Sequence, residues 1–385
     1  MKQKIKLVKG LDPVFESIML LTMVANEDNK VFYEFKNHTL EEYFKDNAEG
    51  QQIGDFVKNL CEKAIELFKE DMDEVTALFG KMEKSLGLTL GELSMYSHRT
   101  EIIEEADYSH VPIKDIYEKY TEKEKDGSFL GHLDADMDDK GYEEIMSYSD
   151  KGRMCAILEY VQQLEVSKET KEKILDCYLH RDAYVDRVSK LVEKAYGLLA
   201  SMEKEYSRIA DLWQAYWTRD EDTIFNMMDL LGVPLDKMDM ETLVLAPSFI
   251  QCMVVDISLK RLDKDGKKNK TAVIHMGVLV TEDLTKRFVE REIFTEENLQ
   301  ECIKALGDKS KYDILMFIKD KAAYGSEIAK EFGLTTATVS HHMTKLVNLQ
   351  MVSLVQQGGK SYYQTRTDKM EEIFNALKKV WCSDK

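Results

Sequence analysis

Apolar residues recur along this chain with two distinct periods. The longest regular stretch runs from Val185 through Val188, Val192, Ala195, Leu199, Met202, Tyr206, Ile209 and Trp213 to Tyr216. The spacings alternate between three and four, as on one face of a helix or along a coiled-coil seam. Leu191, Tyr196, Leu198 and Leu212 widen the stripe. That width favours a helix laid on its own core, and a seam shared between two chains stays open as the alternative. Helical patterns also occupy LEEYFKDN (40–47), DFVKNLCEKAIELFKEDMDEVTALFGKM (55–82) and, more weakly, residues 88–120. Near the start, KIKLVKG alternates like a short edge strand. Asp12-Pro13-x-x-Glu16 then reads as a helix start, with Asp as N-cap, Pro at the first position and Glu as reciprocal partner.

The helical pattern stops near LLGVPLDK (230–237). APSFIQCMVVDISLK (246–260) and TAVIHMGVLV (271–280) read as two strands of a β-hairpin spanning about 249–280, with Asp265-Gly266 in its turn. Two strands alone are marginal, so KIKLV is a candidate third. Helix returns after Val280. Thr295 is placed to cap a helix facing inward through Leu299, Cys302, Ile303 and Leu306 and ending at Gly307. Asp308 is placed to cap the next, with Ile314, Leu315, Phe317 and Ile318 inward. The expected fold is mainly α with small β elements. A helical domain with a β-hairpin covers 1–290, and a second domain covers 295–385.

The second domain holds the most informative run, SEIAKEFGLTTATVSHHMTKLVNLQMVSLVQQGGKSYYQT (326–365). Ser326 is placed to cap a short helix with Ile328, Ala329 and Phe332 on one face. Gly333 suits a tight turn needing positive φ, and Thr335 is the next N-cap. Val339, Met343 and Leu346 then repeat at i, i+4, i+7 toward a core. Thr336, Ala337, Ser340, His341, Thr344 and Lys345 lie opposite. Small and polar side chains on an exposed helix fit a major groove and offer hydrogen bonds to base edges. MVSLVQQ, Gly358-Gly359 and KSYYQTR follow as strand, turn and strand, a wing with Lys360 at its tip and Arg366 beyond it.

These residues, with LGDKSKYDIL (306–315) before them, resemble the winged helix-turn-helix of the ArsR/SmtB family of bacterial regulators over roughly the last 85 residues. The resemblance implies a DNA-contacting set of Thr335, Thr336, Ala337, Thr338, Ser340, His341, His342, Thr344, Lys345, Lys360, Tyr362 and Arg366. It also implies a homodimer formed through Leu299 and Ile303 ahead of the motif and Met370, Ile373, Phe374, Leu377 and Trp381 behind the wing. Metal-sensing members carry Cys-x-Cys in the first motif helix, where this chain reads KAAYGSEIAKEF, and others carry His on the last helix, where this chain has none. No metal or cofactor is therefore expected.

Charge sharpens the division. The chain has 385 residues and a net charge of −18, with 53 Lys+Arg against 71 Asp+Glu. From Gly307 to Lys385 there are 12 basic and 9 acidic residues, a net of +3, while the rest holds 41 against 62. Attraction to nucleic acid is local within a Debye length, so the mildly basic tail counts and the acidic remainder does not. The six cysteines are scattered without a C-x-x-C pair, as in a reduced, cytoplasmic protein. The apolar run SIMLLTMVA (17–25) is too short for a bilayer, and Asp12, Pro13 and Glu16 argue against a signal peptide. HLDADMDDKGYEE (132–144) mimics a calcium loop, but Asp139 stands where Gly is required and Ile145 where Glu is required. His180-x-Asp182 reads as a capping turn. No nucleophile elbow, phosphate loop or H-E-x-x-H occurs, so the chain is not expected to be an enzyme. The expectation is a cytoplasmic, homodimeric repressor that binds double-stranded DNA at a pseudo-palindrome, with a small-molecule effector held in the N-terminal domain. The alternative is a winged helix that binds a protein partner.

Overall fold

The computed structural model describes residues 3–8, 10–26, 43–83, 88–95, 117–118, 121–133, 139–220, 222–231, 235, 240–259, 270–285, 296–357 and 360–382. The Asp265-Gly266 turn, the Thr295 cap, Gly358-Gly359 and Asp134, Asp136 and Asp138 of the acidic loop lie outside them. The chain forms two compact units, Gln3–Thr218 with Met240–Val280, and Arg219–Asp239 with Thr281–Lys385. The segment 219–239 thus belongs with the C-terminal residues rather than with the helices that precede it.

In the first unit, β1 (Lys4–Leu7) leads to α1 (Pro13–Ala25). Helices α2 (Ala48–Leu67), α3 (Met72–Phe79) and α4 (Leu90–Met95) follow. Next come α5 (Glu122–Leu133), α6 (Asp139–Ser147), α7 (Asp150–Gln163) and α8 (Lys168–Leu179). The long pair α9 (Arg181–Ser201) and α10 (Glu203–Trp217) closes the helical part. Every residue of α1 from Val14 to Leu21 is buried, so this helix is a central rod, with α9, α3 and α2 against it. The heptad stripe is broken at Met202, where α9 ends and α10 begins, and its residues from Val185 to Met202 are buried within the chain. Its apolar width is used for internal packing.

This unit holds the expected hairpin as the last two strands, in chain order, of a larger mixed sheet. Its strands are β1, β2 (Thr242–Ser248), β3 (Val255–Leu259) and β4 (Thr271–Gly277), in the order β1-β2-β4-β3. β3 and β4 pair antiparallel, but β1 with β2 and β2 with β4 are parallel. The segment 246–260 is not one strand. Ala246–Ser248 end β2, a turn follows, and β3 begins at Val255. TLVLA is a continuous apolar run, as expected of a strand covered on both faces, and it carries no alternation to announce it.

One buried polar cluster ties α1 to this sheet. Asp12 caps α1, its Oδ1 accepting from the amides of Val14 and Phe15 at 3.1 and 3.0 Å. Its Oδ2 lies 3.1 Å from Nε2 of His275 on β4, whose Nδ1 is 3.8 Å from Asp256 on β3. The Phe15 ring stacks on the imidazole at 3.8 Å. Glu16 does not reach back to its own helix start, as the capping pattern suggested. Its carboxylate accepts from the amides of Phe249 and Ile250, at 3.1 and 2.9 Å, in the turn after β2. Burial pushes the Glu16 carboxyl up to about 7, while the Ile250 amide, Ser248, the Phe249 amide and His275 oppose the shift. A second cluster joins α5, α7, α8 and α9: Asp126 accepts from Arg153, Tyr178 and Arg181 at 2.9–3.0 Å. His180 is placed on Asp176 at 2.9 Å, and Asp182 accepts instead from Tyr117.

In the second unit, α11 (Thr223–Leu230) belongs with α12 (Glu296–Gly307) and α13 (Lys309–Phe317). These lead to β5 (Ala323–Tyr324), α14 (Gly325–Phe332), α15 (Thr336–Asn348), β6 (Val352–Gln357), β7 (Lys360–Thr365) and α16 (Thr367–Cys382). The three strands form one sheet in the order β5-β7-β6. Leu299, Ile314, Ile328, Val339, Met343, Leu346 and Ile373 meet in a single core.

Candidate nucleic-acid interface

Local chemistry fixes the two motif helices. α14 starts one residue before the expected cap, because Tyr324 is held extended by pairing with Tyr362 and its amide donates to Glu327 at 3.2 Å. Ser326 therefore lies inside the helix. Gly333 ends α14 at φ +64°, a conformation costly for residues with a Cβ. Thr335 caps α15, accepting from the Thr338 amide at 3.0 Å, and the two hydroxyls lie 2.8 Å apart. The cap leaves the first turn of α15 open at the surface. Val339, Met343 and Leu346 are all fully buried, which orients the helix.

The other face carries the expected contact residues. Thr335, Thr336, His341 and Thr344 are exposed, and Thr338, Ser340, His342 and Lys345 are half-buried. Ala337 lies on this helix by its backbone. The His342 imidazole is held below its ordinary range, first by burial and then by the Lys311 ammonium. This proximity of α13 to α15 joins residues 31 apart and has no trace in the local pattern.

Three expected phosphate contacts have distinct settings. Lys360 opens β7, opposite Gln357, which sets it at the wing's turn. Lys345 reaches to α12, with its ammonium 2.6 Å from Glu301. Arg366 follows the wing at its base, mostly buried, with its guanidinium 3.1 Å from Asp368. Tyr362 is half-buried and meets Tyr324 edge-on at 5.7 Å, so it braces the wing. Glu301 was not foreseen as part of this region. It lies between Lys304 and Lys345 at 2.7 and 2.6 Å, and those two ammoniums hold its carboxyl down at about 2.

The expected dimer residues divide by exposure. Leu299 and Ile373 are buried in the unit's own core, and Met370 and Leu377 are half-covered against it. Ile303 (44%), Phe374 (53%) and Trp381 (77%) are exposed, with Val380 beside them. These large apolar side chains stand open on two helices, α12 and α16.

A short helix, a glycine turn, a capped second helix with a polar outer face and a two-stranded wing define a winged helix-turn-helix. Residues 308–353 match the family described as bacterial regulatory protein, arsR family. The arsenical resistance operon repressor of Staphylococcus aureus is 27% identical over 81 residues, covering 21% of this chain and 78% of that protein. Its counterpart from Staphylococcus xylosus is 27% identical over 88 residues, covering 23% and 85%. Among solved structures, NolR from Sinorhizobium fredii is similar at 22% identity over 23% of this chain and 88% of that one, with a TM-score of 0.19. The C-terminal region of this chain is an ArsR-type helix-turn-helix, the kind of element that DNA-binding transcriptional regulators carry. Among the described residues, no helix is long and apolar enough to cross a membrane.

Proposed function

We propose that the protein is a cytoplasmic transcriptional repressor that binds a pseudo-palindromic operator as a homodimer. The observation that carries this reading is α15. Its core face is sealed by Val339, Met343 and Leu346, and its outer face presents Thr336, His341 and Thr344 to solvent beside Ser340. A helix so placed inserts into a major groove with its N-terminal half toward base edges. Ile303, Phe374 and Trp381 supply an apolar surface for the second subunit. One recognition helix per subunit then reads half-sites about 10 bp apart or a multiple of that. The acidic first unit is the seat of a small-molecule effector and opposes indiscriminate DNA binding through like-charge repulsion.

The test is fluorescence anisotropy of the purified protein with a duplex from upstream of its own gene and with a scrambled duplex, at two salt concentrations. A preference of about 10³-fold or more, lost on replacing Ser340 and His341 with alanine, supports the reading. Equal, weak binding to both duplexes that vanishes at physiological salt removes it and favours a protein partner for the winged helix.

A further inference from the structure

The recognition helix carries very little charge. Between Thr335 and Asn348 the only Lys, Arg, Asp or Glu is Lys345. It stands four residues after His341, so the two share a helix face one turn apart. A flexible ammonium at that place is within reach of the DNA backbone when the helix lies in a groove. In this structure it is turned instead across to α12, where Glu301 Oε2 accepts from it at 2.6 Å. The same carboxylate accepts from Lys304 through its other oxygen at 2.7 Å. The recognition helix is thereby left without an available cation.

We propose that Glu301 is an affinity-setting residue for DNA, an internal substitute for phosphate that withholds Lys345 from the duplex. The geometry suits an exchange. When a DNA phosphate takes Lys345, Glu301 keeps Lys304, so neither the carboxylate nor the ammonium is stranded. Both partners are part-exposed, at 34% and 43% of their side-chain surface, so the exchange requires no unfolding and no opening of the core. The pair also joins α12, which bears the exposed Ile303, to the helix proposed to read bases. This inference rests on the DNA-binding reading above, and its test is arranged to separate the two.

The experiment is a double-mutant cycle in the full-length protein with Glu301→Gln, Lys345→Ala and the combination, using the same two duplexes between 50 and 200 mM salt. Each phosphate contact adds about 0.9 to the slope of log K against log salt. Glu301→Gln is therefore expected to steepen the slope by about one per subunit. At 0.1 M salt it should tighten binding on the order of tenfold per subunit, equally on both duplexes, because phosphate contacts carry no sequence information. In the combined variant, Lys345→Ala should abolish the gain, so that Glu301→Gln adds nothing once the ammonium is gone. Three results overturn the proposal while leaving DNA binding intact: no gain with Glu301→Gln, a gain that persists without Lys345, or weaker binding, which would make Glu301 a support for Lys345. Absence of duplex binding by every variant and the wild type at 50 mM salt overturns both readings.

Discussion

Replacing Glu16 with glutamine should reverse its effect on stability between mildly acidic and mildly alkaline pH. The carboxyl is fully buried and its pKa is raised from 4.5 to about 7. An acid raised in the folded state holds a proton that the unfolded chain has already released. Folding stability therefore falls as pH climbs from about 4.5 to about 7, and the whole penalty is present above that. At about 1.4 kcal/mol per tenfold change in proton concentration, the full penalty is roughly 3 kcal/mol. Glutamine never ionises. It keeps one acceptor for the two turn amides and points its own N–H₂ at the other, a pH-independent loss of about 1 kcal/mol. The variant should thus be slightly less stable than wild type near pH 5 and more stable near pH 8, with their difference moving by roughly 2–3 kcal/mol. Urea unfolding followed by tryptophan emission checks this. Trp213 and Trp217 are buried in the same unit as Glu16, while Trp381 is already exposed and contributes little change. Stability curves for the two proteins that stay parallel from pH 5 to 8 would refute the argument. In that case the turn amides and His275 outweigh the burial.

Three further outcomes follow from the winged helix. Met343 is fully buried in the core beneath α15, so Met343→Ala should cost about 2–5 kcal/mol in denaturant unfolding of that unit. At Gly333 a Cβ would meet nothing within 4 Å, so the cost of Gly333→Ala is that of φ +64° alone, about 1–2 kcal/mol, and Gly333→Asn should recover most of it in the same assay. Phe374→Glu with Trp381→Glu should leave the fold unchanged by circular dichroism and shift the proposed homodimer to a monomer in sedimentation, because both side chains are more than half exposed in the single chain.

The parts of this protein legible in its sequence are those held by bonds a few residues long. Asp12 over α1, Asp308 over α13 and Thr335 over α15 each cap through contacts to amides two or three residues on, and a Gly at the motif turn has its own steric reason. The inward face of α15 was likewise written at i, i+4, i+7, since a helix repeats its geometry every few residues. What only the tertiary structure decided spans long loops. Glu16 has the spacing of a helix cap, yet it finds its partners 233 and 234 residues away, because α1 is buried on every side and its first turn faces the end of β2. The apolar run of β2 has no alternating signature, so its parallel pairing with β1 and β4 emerged only when the strands were side by side. Lys345 looked free for phosphate because no residue near it in sequence is acidic. Glu301, 44 residues earlier, reaches it only because α12 and α15 share one core, and periodicity within a helix carries no information about the charge on its neighbour.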